Sequence, residues 1–185
     1  MTKKIIIIML ISVVAVSFLF AEKKENFVTV TGSPYGKQFI TTSISGNYGS
    51  DYGFGFKAGY RYFLNMFLLG ADISYQNYIY NFNNNRASLN NLQILAKIGG
   101  KIDLSDRIAL NGDVGIGVDV GLSRVATNFT NLLIGASGSV SFYFCEDVAV
   151  LSGLDFSIEW ANSGKSEFKS TQFNLIPMLG IEVNF

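Results

Sequence analysis

Residues 52–62 read Tyr52-Gly53-Phe54-Gly55-Phe56-Lys57-Ala58-Gly59-Tyr60-Arg61-Tyr62. Tyr52, Phe54, Phe56, Ala58, Tyr60 and Tyr62 share one parity, and Gly53, Gly55, Lys57, Gly59 and Arg61 share the other. Successive side chains of a strand point to opposite faces, so this stretch is a strand with one apolar, aromatic face and one small or charged face.

The same period of two runs outward in both directions. It predicts eight strands near 39–48, 52–63, 67–79, 89–103, 108–123, 131–144, 148–160 and 172–185, with no helical period after residue 21. Tight turns are expected at Leu64-Asn65-Met66, Ser105-Asp106-Arg107 and Cys145-Glu146-Asp147. The opposite ends carry the longer stretches 82–88, 124–130 and 161–171, with Gly49-Ser50-Asp51 as the one short connection there. Eight strands joined in this way form an all-β, antiparallel up-and-down barrel.

The apolar parity from Ile40 to Phe185 carries no charged residue, while the interleaved parity holds the strand charges and most of the strand glycines. A soluble barrel would need a charged outer face. The inverse assignment, apolar outward to lipid and polar inward, matches a transmembrane barrel. Aromatic residues gather at the strand ends: Tyr62, Phe63, Phe67, Phe142, Phe144 and Phe185 at one, and Tyr48, Tyr52, Tyr75, Tyr78, Trp160 and Phe173 at the other. On this assignment Ile116→Arg or Val118→Arg blocks folding, whereas Gly117→Ser on the lumen face is tolerated.

The last segment, Phe173-Asn-Leu-Ile-Pro-Met-Leu-Gly-Ile-Glu-Val-Asn-Phe185, places Leu179, Ile181 and Val183 at alternate positions before a final aromatic. With the barrel pattern, it resembles the small outer-membrane β-barrels of double-membraned bacteria, the OmpA/OmpX-type transmembrane domains. The resemblance implies that Leu179, Ile181, Val183 and Phe185 form a C-terminal assembly signal read by the barrel-assembly machinery. It also implies that the peptidoglycan-binding domain of larger members is absent.

The N-terminus reads as a leader. Lys3 and Lys4 precede an apolar run from Ile5 to Phe20, too short to span a bilayer, and Ala21 is the natural cleavage point. The expected organisation is a signal peptide over 1–21, a periplasmic N-terminal arm over 22–36, and an outer-membrane barrel over 37–185. Phe27-Val-Thr-Val-Thr31 alternates as a strand would, but the lead to Gly36 is too short for another spanning hairpin, so it falls in the arm.

The whole chain has 185 residues, 14 basic and 14 acidic side chains, one cysteine and no histidine. Balanced charge argues against nucleic acid, and one cysteine without histidine builds no zinc site. No cofactor or metal is expected. Without histidine the usual acid–base catalysts at neutral pH are missing, and the proteolytic and lipid-modifying outer-membrane barrels, as family resemblance has it, depend on one. Asp155 and Glu159, four apart on a strand, lie roughly 13 Å from each other, too far for a paired-carboxylate mechanism. The chain is therefore not expected to be an enzyme.

Ten inward charges remain: Lys57, Arg61, Asp72, Lys97, Lys101, Asp113, Asp119, Asp155, Glu159 and Glu182. Buried charges must pair, so these four cations and six anions form either a static plug or a gate of switchable ion pairs. Runs such as Gly53-Phe-Gly55 and Gly115-Ile-Gly117 lack the spacing of phosphate-binding loops and read as lumen glycines. The expected role is structural or surface-interacting, with a lipid-embedded body and loops 82–88, 124–130 and 161–171 offered to an extracellular ligand. The alternative is a narrow channel for small solutes or for lateral passage of apolar molecules.

Overall fold

A computed structural model describes residues 26–42, 48–64, 67–82, 85–122, 130–162 and 169–185. The leader expected over 1–21 lies outside them. Nine strand segments follow one another: β1 (Asn26–Ser33), β2 (Lys37–Thr42), β3 (Tyr48–Leu64), β4 (Phe67–Phe82), β5 (Asn85–Ser105), β6 (Ile108–Gly121), β7 (Thr130–Cys145), β8 (Val148–Asn162) and β9 (Lys169–Asn184). Each of β3 to β8 pairs antiparallel with its successor. β1 and β2 lie in line and share one position in the wall, between β3 and β9. Nine segments thus make eight staves, and the sheet closes.

That shared stave corrects the expected N-terminal arm. Asn26–Ser33 pairs along its whole length with β3, from Asn26 opposite Tyr62 to Ser33 opposite Gly55, and six of its residues pair with β9. No hairpin is needed, because β1 continues into β2 across Pro34-Tyr35-Gly36 instead of turning back. Proline lacks the N–H that a ladder requires, which accounts for the interruption. Among the described residues the barrel begins at Asn26, not at 37. In β2, Phe39 is exposed and Gln38 buried, so the outward face there is one residue out of step with the expected Ile40. Lys37 shares the parity of Phe39 and is exposed, an exception to the uncharged outer column.

At one end the tight turns expected at 105–107 and 145–147 join β5 to β6 and β7 to β8; residues 65 and 66 of the third expected turn lie outside the described residues. At the other, the hairpins are longer than expected. Gly49-Ser50-Asp51 lies within β3, paired with β4. The described residues of 82–88 are strand, with Phe82 opposite Asn85 and Tyr80 opposite Ala87; residues 83 and 84 lie outside them. Beside it, Asn77 Nδ2 donates across from β4 to β5, to Ser88 Oγ at 2.7 Å and to Asn90 Oδ1 at 2.8 Å. Most of 124–130 and 161–171 lies outside the described residues.

Burial is inverted relative to a soluble domain. Ile98, Val114, Ile116, Leu154, Leu179 and Ile181 are each about half exposed, while Asp72, Asp119, Glu159 and Glu182 are almost fully enclosed. A contiguous apolar exterior of this extent is what lipid requires. Two aromatic residues expected at the interfaces turn inward instead. Tyr78 is completely buried, its hydroxyl donating to Gln76. Phe63 stacks against the enclosed Phe27, ring centroids 5.8 Å apart. A β-bulge between Tyr52 and Phe54 puts Tyr52 opposite Tyr78, out of step with the apolar face that starts at Phe54.

Candidate functional site: the barrel lumen

The ten inward charges form three layers along the lumen. Nearest the tight turns, Lys101 Nζ donates to Glu182 Oε1 at 2.9 Å and to the Tyr143 hydroxyl. Tyr143 and Ser141 also donate to Glu182, and the Lys101 ammonium lies 5.1 Å from the Phe27 ring and 4.9 Å from that of Tyr143. Outside this layer a vestibule of about 630 Å³ opens, bordered by Phe63, Lys101, Asp103, Tyr143 and Asn184.

Three cations meet three anions in the middle layer. Arg61 reaches Asp72 at 2.6 Å through Nη1 and Asp113 at 2.9 Å through Nη2. Lys97 holds Asp113 at 2.6 Å and Asp72 at 3.3 Å, and also donates to Ser137. Lys57 closes the set on Asp155 at 2.6 Å, with Asp72 at 3.9 Å. The layer is formally neutral, draws on β3, β4, β5, β6 and β8, and ties together staves that do not touch in the sheet.

Glycines make room for this layer. Arg61 sits opposite Gly70, Asp72 opposite Gly59, Lys97 opposite Gly115 and Asp113 opposite Gly99. A Cβ on Gly59 would lie 2.5 Å from Asp72 Oδ1, and one on Gly115 would lie 2.9 Å from Lys97 Cγ. Alternating bulk and absence of bulk lets long charged side chains lie across a narrow barrel. Leu68, Leu95, Leu133, Leu151, Ile176 and Met178 fill the remainder. These inward apolar residues were absent from the expected lumen of ion pairs and small residues. Their signal was the inward parity itself, which on β4, β5, β7, β8 and β9 is not uniformly polar.

The third layer, towards the opposite rim, holds Asp119 and Glu159 and, among the described residues, no cation. Gln93 Nε2 donates to Asp119 at 2.8 Å and to Glu159 at 2.9 Å, Asn91 donates to Asp119 and Asn174 to Glu159. Four cations and six anions were expected to pair throughout; eight of the ten do, and these two acids do not. Cavities between the layers are about 20 to 30 Å³, room for a water or two. The lumen is filled.

Among solved structures, the chain is similar to the outer membrane protein OprG from Pseudomonas aeruginosa. The TM-score is 0.65 at 10% identity, over 87% of this chain and 96% of that one. Neisserial surface protein A (NspA) gives a TM-score of 0.60 at 13% identity, over 87% of this chain and 97% of that one. The fold is that of the small outer-membrane β-barrels. No protein-family model and no curated protein matches the chain by sequence. Against the small-barrel fold, Leu179 and Ile181 lie outward on β9 and half exposed. Phe185 N–H donates to Asn26 O at 2.9 Å, joining the end of β9 to the start of β1. Cys145 is exposed in a tight turn.

Proposed function

We propose that the chain is an integral outer-membrane barrel with a closed lumen, acting structurally or through its surface, and not an enzyme. The middle layer carries this reading: six mutually paired charges span the barrel, and the spaces around them admit only isolated waters. Export through the 1–21 leader, delivery by the assembly machinery through Leu179, Ile181, Val183 and Phe185, and contact with an extracellular ligand through 124–130 and 161–171 belong to the same proposal. In planar bilayers, refolded leader-free protein with a verified heat-dependent gel shift is expected to pass no steady current. Reproducible conductance steps from that material would overturn a closed lumen.

A second reading, lateral passage of apolar molecules, is favoured by the interruption at Pro34-Tyr35-Gly36. There the ladders with β9 stop at Gly32 opposite Leu179 and resume at Lys37 opposite Leu175, leaving Ile176, Pro177 and Met178 without ladder partners on that side, where Ser33 Oγ donates to the Pro177 carbonyl. A small cavity bordered by Thr31, Ser33, Phe56, Ile176 and Met178 lies against this gap. Uptake of an apolar fluorophore into protein-containing vesicles, lost on bridging the gap with a crosslink, would favour it over a purely structural role.

A further inference from the structure

We infer that the third lumen layer is a binding site for a calcium-type divalent cation. Asp119 and Glu159 are fully enclosed, and each keeps one carboxylate oxygen, Oδ1 and Oε2, without a hydrogen-bond partner. Asn131 is only 1% exposed and neither its Oδ1 nor its Nδ2 has a partner. It faces Asp119 across β6 and β7, and the next inward residue on its strand, Leu133, faces Glu159. Asn131 is therefore a neighbour of both acids in the wall. Asn91 Oδ1 and Asn174 Oδ1 are enclosed and unpartnered too, on side chains whose nitrogens already bind Asp119 and Glu159.

Five oxygen acceptors of this layer, two from carboxylates and three from amides, are thus enclosed without a hydrogen-bond partner, beside two acids whose charge no cation among the described residues offsets. The lumen cations Lys57, Arg61, Lys97 and Lys101 are engaged in the other two layers. A proton shared between the acids would serve their two free oxygens and leave the amides unsatisfied. A water would serve the amides and leave the charge. A divalent cation answers both needs at once. An all-oxygen donor set excludes soft-ligand metals, and the number and mixed carboxylate-amide character of the donors suit the six to eight flexible oxygen contacts of calcium better than the strict octahedron of magnesium. Among the described residues no three of Asp, Glu, Cys and His cluster; in this layer the donors beyond the two acids are amides. Asp119, Asn131 and Glu159 lie within three residues of the strand ends Gly121, Thr130 and Asn162.

The test is calorimetric titration of calcium into the leader-free chain, refolded in a zwitterionic detergent and stripped with EDTA. One calcium per folded chain is expected, with magnesium binding more weakly and with calcium raising the temperature at which the heat-dependent gel shift occurs. Asp119→Asn with Glu159→Gln abolishes binding, Asp155→Asn preserves it, and Asn131→Asp, which adds a carboxylate ligand, tightens it. A folded parent protein that binds no calcium overturns the inference whether or not the variants fold. So does binding that survives the double substitution or is indifferent to Asn131→Asp. Stabilisation by acid with no response to calcium would assign the layer to a shared proton instead.

Discussion

At Ile116 the side chain is 56% exposed on the outer face, and its neighbour Gly117 turns inward against β5. An arginine at 116 would meet lipid, at a cost of about 2–4 kcal/mol near mid-membrane. Ile116→Arg, and Val118→Arg beside it, should therefore fail to give the heat-dependent gel shift. Gly117→Ser was expected to be harmless on the lumen face; the structure reverses that. A Cβ on Gly117 collides with the carbonyl oxygen of Ile94 and lies 2.8 Å from Leu95 Cα. Both obstacles are backbone, so folding yield should drop for Gly117→Ser as well. In the middle layer, Asp72→Asn leaves three cations facing two anions, and uncompensated buried charge costs about 3–5 kcal/mol. Its urea midpoint should fall accordingly, and adding Lys97→Met, which restores the balance, should recover part of the loss.

Among the elements, β1 is the least expected. Val30 lies opposite both Ala58 and Ile181. In a Cys145→Ser background, Val30→Cys with Ile181→Cys should be joined by a short bifunctional thiol reagent; a free arm would not be. The seven staves from β3 to β9 were legible because each buries one parity and shows the other to lipid, so a single period of two fixes direction and turns together. The stave of β1 and β2 was not, since Pro34 splits its alternation into two short runs. Aromatic facing at the strand ends was misjudged for Phe63 and Tyr78 because place along a strand says nothing of which side a ring takes. The ten lumen charges were legible as a column, but not their partners. Which lysine meets which aspartate depends on staves that face each other across the lumen, such as β3 and β8 for Lys57 and Asp155, and that distance is invisible to local pattern.

Taken whole, the barrel answers the bilayer with its outside and electrostatics with its inside. Closing the sheet satisfies the backbone within lipid, and the glycine columns let charged side chains cross the interior. Because the middle layer is enclosed, added salt should leave its contribution nearly intact, unlike that of an exposed ion pair. Urea unfolding of the parent should accordingly shift little between low and moderate salt, whereas a large loss of stability would show that water and ions reach the layer.

The stave of β1 and β2 contributes no charge to the three layers; it buries Asn26, Phe27, Val28, Thr31, Ser33 and Gln38, while its Lys37 is exposed. The seam therefore brings no ionised group of its own into the lumen. What it adds there is a neutral lining, with the Phe27 ring set against the Lys101 ammonium. A barrel built this way keeps the matching of charges in seven staves and its closure in the eighth.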